Sequence, residues 1–156
     1  MLILGIDPGS LRCGFGIIKK ENSGQIFHVS HGTIMLDAKR AVNARLQDLA
    51  QDLNTLINKY KPTCAVVEDV FVYKNPRSAL VLGQARGVCM AVLGLHNISL
   101  SSLAPTAVKS LVAGHGRAQK FQVAHMVALQ LNIQVPKSPD ASDALALAYA
   151  QSVLTN

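Results

Sequence analysis

Residues 2–20, LILGIDPGSLRCGFGIIKK, decide the fold. The apolar run from Leu2 to Ile6 predicts a buried strand, and Asp7-Pro8-Gly9-Ser10 is a strong turn signal that ends it. A second strand is predicted around Cys13–Lys19, and a short polar turn then leads to a third strand, Ile26–Met35. The chain therefore opens with three antiparallel strands.

Helices and strands alternate downstream of this meander. Apolar residues at i, i+3, i+4 spacing predict an amphipathic helix from Val42 to Tyr60, followed by a buried strand from Cys64 to Val67. A second helix is predicted from Pro76 to about His96, and a fifth strand from Ile98 to Leu103. Further helices are predicted over residues 105–112, 117–131 and 140–154. This order is typical of an α/β fold with a five-stranded mixed sheet.

The composition fits one domain with a real core. The chain has 156 residues, of which 49% are hydrophobic and 15% charged, and this excludes disorder. Its longest uncharged stretch, Gly87–Val108, is broken by polar residues and Pro105, so no membrane span is predicted. The N-terminus lacks the basic segment of a signal peptide. The net charge of +6 permits nucleic-acid binding without requiring it.

The three cysteines predict a reducing, cytoplasmic environment. Cys13, Cys64 and Cys89 are an odd number and form no CxxC motif, which argues against a disulfide framework or a zinc site. Each lies among apolar neighbours, where a free cysteine behaves as a small hydrophobic residue.

The placement of the nine acidic residues carries the functional signal. Asp7 ends the first predicted strand, Glu68 and Asp69 end the fourth, and Asp140 and Asp143 share one face of the last helix. Ligands of open α/β sheets gather at the carboxyl ends of the strands. Carboxylates that converge there repel one another unless cations lie among them. Mg²⁺ prefers such oxygen ligands, and paired ions are used for phosphodiester hydrolysis.

Each acid also has a purely structural interpretation. Asp7 before Pro-Gly can be a turn residue, and Asp140 can be a helix N-cap with Asp143 near the positive end of the helix. Neighbouring residues of a strand face opposite ways, so only one of Glu68 and Asp69 can join Asp7. The apolar residues before them leave open which one it is.

Three stretches, in this order and spacing, resemble the RuvC family of bacterial Holliday junction resolvases. They are GIDPGSLRCGFGII, VVEDVFVYKNPRSALVLGQARGV and PDASDALALAYA, and the resemblance extends from Leu2 to about Ala150. It implies a ribonuclease H-like fold over one nuclease domain, residues 1–156, and an endonuclease that nicks two opposing strands of a four-way DNA junction. It also implies a homodimer and a RuvA–RuvB partner complex. The apolar helix from Ala79 to Leu95 is a candidate dimer interface, but a buried core helix explains its pattern equally well.

The resemblance also assigns site residues. It implies that Asp7, Glu68, Asp140 and Asp143 are the catalytic ligands of two Mg²⁺ ions, with Mn²⁺ as a substitute, and this favours Glu68 over Asp69. Lys109 and Lys120 match functional lysines of the family. An aromatic after the Glu68 strand stacks on bases in this family. The predicted DNA contacts are Phe71, Tyr73, Lys74, Arg77, Arg86, His115 and Arg117, although Tyr73 is better interpreted as a core anchor.

Two other function classes compete with a junction nuclease. Sugar kinases and actin-like ATPases also begin with a strand that ends in Asp-x-Gly-Ser, but they need two such domains, and no second phosphate hairpin follows in this chain. A noncatalytic junction-binding module would use the acids only for structure. A complete set of four acids argues against that interpretation.

Overall fold

The computed structural model describes residues 1–69 and 76–155, which form a five-stranded sheet with helices on both faces. The strands are β1 (Leu2–Asp7), β2 (Arg12–Lys20), β3 (Ile26–Met35), β4 (Cys64–Glu68) and β5 (Ser99–Leu103). Their order is β3-β2-β1-β4-β5. The first three strands pair antiparallel, and β1, β4 and β5 run parallel. The predicted mixed sheet is confirmed.

The helices form one layer on each face of the sheet. They are α1 (Val42–Tyr60), α2 (Pro76–Leu95), α3 (Pro105–Ala113), α4 (Lys120–Gln130) and α5 (Pro139–Leu154). One buried cluster joins the sheet to α1 and α2, and the other joins it to α3, α4 and α5. Alternate residues of β1 supply the two clusters, with Leu4 in the first and Ile3 in the second.

Two predicted helix starts are corrected by their caps. Helix α4 begins at Lys120 and not at Arg117, because Gln119 is extended and exchanges capping hydrogen bonds with Gln122. Helix α5 is capped by Ser138, whose hydroxyl accepts from the Ala141 N–H, so Asp140 is not its N-cap. Asp140 instead lies in the first turn of this helix.

Helix α5 lies unusually close to the sheet because glycines face it. A Cβ on Gly5 would come within 2.0 Å of the Ala144 carbonyl oxygen, and one on Gly14 within 2.0 Å of the Asp140 carbonyl oxygen. The backbone of α5 therefore packs directly on β1 and β2. This contact brings the first turn of α5 to the strand ends.

Helix α2 is exposed along one side, and its buried residues are Ala85, Cys89, Val92 and Leu93. Among the described residues it alone is long and apolar enough to cross a membrane, with 22% of that apolar window buried. It carries Arg77 and Arg86, and a core helix of a soluble protein passes the same test.

Candidate active site

Asp7 and Glu68 end adjacent parallel strands. Ile6 of β1 pairs with Val67 of β4, so the next residue of each strand lies at the same level of the sheet. Side chains at the same level of paired strands point to the same face. The two carboxylates are therefore neighbours at the carboxyl edge of the sheet.

The buried clusters show which face these carboxylates share. Val67 packs into the cluster beneath α1 and α2, whereas Val66 packs into the cluster beneath α5. By alternation Glu68 faces α5, as Asp7 does, and Asp69 faces the opposite layer. The Asp69 carboxylate there lies 3.4 Å from the Arg86 guanidinium. The question that the sequence left open is thus answered geometrically in favour of Glu68.

Helix α5 contributes Asp140 and Asp143 to the same edge. Its start is held by the Ser138 hydroxyl, which lies 2.7 Å from the Thr33 hydroxyl of β3. The close packing on Gly14 fixes the Asp140 backbone against β2. Sequence reasoning did not use these glycines, although the run Gly14-Phe15-Gly16 inside a strand is a signal of close backbone approach.

The electrostatics of the four acids show that they interact. Burial, followed by repulsion from Glu68, Asp143 and Asp140, raises the pKa of Asp7 to about 7. Burial and the Asp143 carboxylate also raise the pKa of Glu68. Strands β1 and β4 and helix α5 therefore bring their negative charges close together at one half-buried place.

Two lysines border this acidic cluster. The Lys120 ammonium donates to a carboxylate oxygen of Asp143 at 2.7 Å, and this bond raises the Lys120 pKa. Lys109 and Lys120 line a small cavity together with Glu68 and Asp143, and both lysines oppose the upward shift of the Glu68 pKa. Both predicted lysines thus lie at the acidic cluster.

The donor chemistry of the cluster fits a hard divalent cation. All four acids offer carboxylate oxygens, and their repulsion is what a bound cation would relieve. Within residues 1–69 and 76–155, however, no three His, Cys, Asp or Glu side chains converge closely enough to hold an ion as they stand. Lys120 is the positive group that balances Asp143 here.

An apolar groove with a basic lining opens beside Asp143. It has a volume of about 890 Å³ and lies between α4, the end of α3 and the segment that leads into α5. Its aromatic and basic residues are His115, Lys120, Phe121, His125 and Lys137. Phe121 is 73% exposed. Phe121 and Lys137 are not among the residues predicted from the sequence, although the aromatic residue directly after Lys120 was an available signal.

The remaining predicted DNA contacts that the structure describes lie in different parts of the fold. Arg77 lies exposed in the first turn of α2, and Arg117 lies exposed in the α3–α4 connection, as His115 does. Arg86 instead points inward, against the ends of β4 and β5. Phe71, Tyr73 and Lys74 lie outside the described residues, so their roles stay predictions.

Comparison with known proteins gives a consistent result. The family model described as crossover junction endodeoxyribonuclease RuvC matches residues 3–151. The chain is 42% identical over 148 residues to the RuvC protein of Francisella tularensis subsp. holarctica, covering 95% of this chain and 85% of that protein. It is 43% identical over 150 residues to that of Xanthomonas euvesicatoria pv. vesicatoria, covering 96% and 86%.

A solved structure extends this similarity to the fold. The structure of Thermus thermophilus RuvC in complex with a Holliday junction substrate superimposes with a TM-score of 0.90 at 25% identity, covering 96% of this chain and 92% of that one. The ribonuclease H-like fold expected from the sequence is confirmed.

Proposed function

The chain belongs to the RuvC family of crossover junction endodeoxyribonucleases, and on this premise we propose that it resolves four-way DNA junctions by symmetric paired nicks. Each copy of this single nuclease domain would hydrolyse one phosphodiester bond, so that two copies cut two opposing strands. The products would carry 5′-phosphate and 3′-hydroxyl ends, which a ligase can seal.

One observation supports the proposal most: the Asp7 carboxylate is repelled by the carboxylates of Glu68, Asp140 and Asp143 at one edge of the sheet. The shift of the Asp7 pKa to about 7 has contributions from each of the other three acids. Such a concentration of negative charge costs stability and is typical of a functional site. A purely structural role would not require four acids from three elements to meet.

These four acids would hold the Mg²⁺ ions, or Mn²⁺ in their place. Bound cations supply an activated water and stabilise the charge on the departing oxygen. The register of the sheet fixes the positions of the carboxylates of β1 and β4. The close packing of α5 against β2 fixes the positions of the carboxylates of α5. The protein thus orients oxygen ligands on rigid elements before the substrate arrives.

Lys120 and Lys109 would act on the scissile phosphate. Negative charge builds on the phosphate oxygens during hydrolysis, and an ammonium group nearby stabilises it. Lys120 is tied to Asp143 in the free protein, so binding of cations and substrate would release its ammonium group toward the phosphate. Lys109 already lies in the same small cavity as Glu68.

The groove beside Asp143 would receive the DNA strand next to the cut. Lys120 and Lys137 give its lining a positive character that complements a phosphate backbone, and Phe121 offers an exposed ring for base stacking. Arg77 and Arg117 would add phosphate contacts outside it. Base stacking by Phe71 belongs to the same proposal, on the strength of the family resemblance.

A second copy of the chain would cover α2. The exposed side of this helix is a stripe that we call the α2 stripe, formed by Leu80, Gly83, Gln84, Gly87, Met90 and Ala91. A Cβ on Gly83 or Gly87 would meet nothing within 4 Å, so the backbone is open to close approach by another helix. Two equal nicks require two equal sites, which a two-fold dimer supplies.

Two further expectations accompany this activity. A nuclease of this family that acts on recombining DNA would work in the cytoplasm, where its three free cysteines stay reduced. A RuvA–RuvB branch-migration complex would be its partner, as the family resemblance implies.

The test is a cleavage assay on a synthetic four-way junction whose strands are labelled one at a time. With Mg²⁺ we expect nicks at symmetric positions of two opposing strands and products that DNA ligase reseals. Linear duplex of the same sequence is the control and should stay uncut. Unsealable ends or equal duplex cleavage would contradict the proposal, and ATP hydrolysis without nicking would favour the actin-like alternative.

A further inference from the structure

The Arg86 side chain is engaged by three elements of the fold. Its guanidinium donates to the Glu68 carbonyl oxygen at 3.2 Å and, through Nη2, to the Ser102 hydroxyl at 2.9 Å. The same Nη2 lies 3.4 Å from an Asp69 carboxylate oxygen, and Nη1 lies 3.1 Å from the Met90 sulfur. Arg86 thus connects α2 to the ends of β4 and β5.

These contacts leave little of the guanidinium for DNA. An arginine offers five N–H donors, and the contacts above use four of them. Its side chain is 22% exposed. A phosphate group is best bound by two parallel N–H donors, which Arg86 cannot present without leaving its partners.

The hydrogen bond from Arg86 to the Glu68 carbonyl oxygen links this arginine to the acidic cluster. Arg86 holds the backbone carbonyl of the residue whose side chain faces the acidic cluster, and the next residue, Asp69, donates its N–H to the Leu103 carbonyl oxygen at 3.0 Å. The end of β4 is thereby fixed on both sides. A shift of this backbone would move the Glu68 carboxylate relative to Asp7.

We propose that Arg86 is a positioning residue that sets the Glu68 carboxylate for metal binding and ties the α2 helix to the active site. The inference rests on the proposed function. Because α2 also carries the α2 stripe, the Arg86 contacts would couple the dimer surface to the position of one catalytic ligand. A lysine could not replace the arginine, since it lacks the planar fork that reaches β4 and β5 together.

The test compares Arg86→Met with Arg117→Gln, a change at an exposed predicted phosphate contact. For Arg86→Met we expect single-turnover cleavage at saturating enzyme to fall about 10-fold or more, as for other groups that orient metal ligands. Junction affinity and its salt dependence should stay unchanged. For Arg117→Gln we expect instead weaker junction binding, with a salt slope reduced by about 0.9.

Two further measurements test the positioning role of Arg86. Calorimetry without DNA should show weaker Mg²⁺ binding to Arg86→Met than to the wild type, a result that does not depend on whether junctions are cut. Ser102→Ala removes one hydrogen-bond partner of Arg86 and should slow cleavage several-fold at unchanged junction affinity. This variant tests the positioning role of Arg86 even if Arg86→Met folds poorly. A reduced salt slope with normal cleavage in Arg86→Met, or normal cleavage and Mg²⁺ binding in both variants, would overturn the proposal.

Discussion

At the scale of single residues, the Asp7 carboxylate lowers the free energy of unfolding of the metal-free protein at neutral pH. Its carboxylate is half-buried and repelled by Glu68, Asp140 and Asp143, and its pKa is raised from 3.8 to about 7. The folded protein therefore binds this proton more tightly than the unfolded chain does. Between about pH 4 and pH 7 the free energy of unfolding falls as the pH rises, and the loss persists above pH 7.

This cost predicts that Asp7→Asn stabilises the metal-free protein. At pH 8 in EDTA we expect its free energy of unfolding to exceed that of the wild type by a few kcal/mol, at about 1.4 kcal/mol per unit of pKa. At pH 4 the two proteins should be nearly equal, because Asp7 is then largely protonated in the wild type. Urea unfolding at both pH values measures the difference.

Asp52→Asn is the matched control, since Asp52 lies exposed on α1. It should show no comparable gain at pH 8. An Asp7→Asn protein that is less stable than the wild type at pH 8 would mean that the carboxylate stabilises the fold, and the account of the acidic cluster would be wrong.

Phe121 supplies a second prediction at this scale. Phe121→Ala should weaken junction binding roughly 5-fold or more, because one base–aromatic stack contributes about 1–3 kcal/mol. Leu129→Ala, on the same helix but outside the lining of the groove, should bind normally. Fluorescence anisotropy with a labelled junction measures both, and equal affinities would exclude the groove as a DNA contact.

At the scale of elements, the seat of α5 on the sheet aligns the site. A Cβ on Gly16 would come within 2.6 Å of the Leu145 nitrogen and 2.7 Å of its Cα, both of which are backbone atoms. The helix could accept this Cβ only by moving away from β2. Asp143 lies two residues before Leu145, so it would move as well.

Gly16→Ala should therefore destabilise the protein by about 1–3 kcal/mol or more and slow cleavage. Gly94→Ala is the control, since a Cβ at that helical position meets nothing within 4 Å. It should be neutral or slightly stabilising, by up to about 1 kcal/mol. Urea unfolding distinguishes the two, and a stable Gly16→Ala protein would show that α5 does not depend on the glycine contact.

The elements themselves were largely predictable, because apolar periodicity and turn signals mark them. All five strands and five helices lie where the sequence predicts them, but the starts of α4 and α5 depend on the caps at Gln119 and Ser138. Which of Glu68 and Asp69 faces the site was not predictable from the strand alone. Both faces of β4 are buried, so its pattern does not alternate, and only tertiary packing distinguishes them.

At the scale of the whole molecule, a net positive charge surrounds one local group of negative charges. The chain has 15 Lys and Arg against nine Asp and Glu, and four of those acids lie in one cluster. The sequence indicated this division only through the positions of its acids. The inward orientation of Arg86 and the face of Glu68 could not be predicted from the sequence, because each depends on how the helices pack against the sheet.

The α2 stripe predicts the oligomeric state. Leu80 is 64% exposed, and a charge there would be buried without a partner in a helix–helix dimer. Leu80→Glu should sediment as a monomer where the wild type sediments as a dimer. Leu129→Glu, which changes a residue of similar exposure on α4, should remain dimeric. A monomeric wild type, or a dimeric Leu80→Glu protein, would exclude α2 as the dimer interface.

We expect Asp7, Glu68, Asp140 and Asp143 to form one metal-dependent site for junction cleavage. The most direct measurement is single-turnover cleavage of a four-way junction in Mg²⁺ by the four single variants Asp7→Asn, Glu68→Gln, Asp140→Asn and Asp143→Asn, with Asp69→Asn beside them. We expect each of the four to lose cleavage and still bind the junction, and Asp69→Asn to retain most of its activity. Normal cleavage by any of the four variants would contradict the claim.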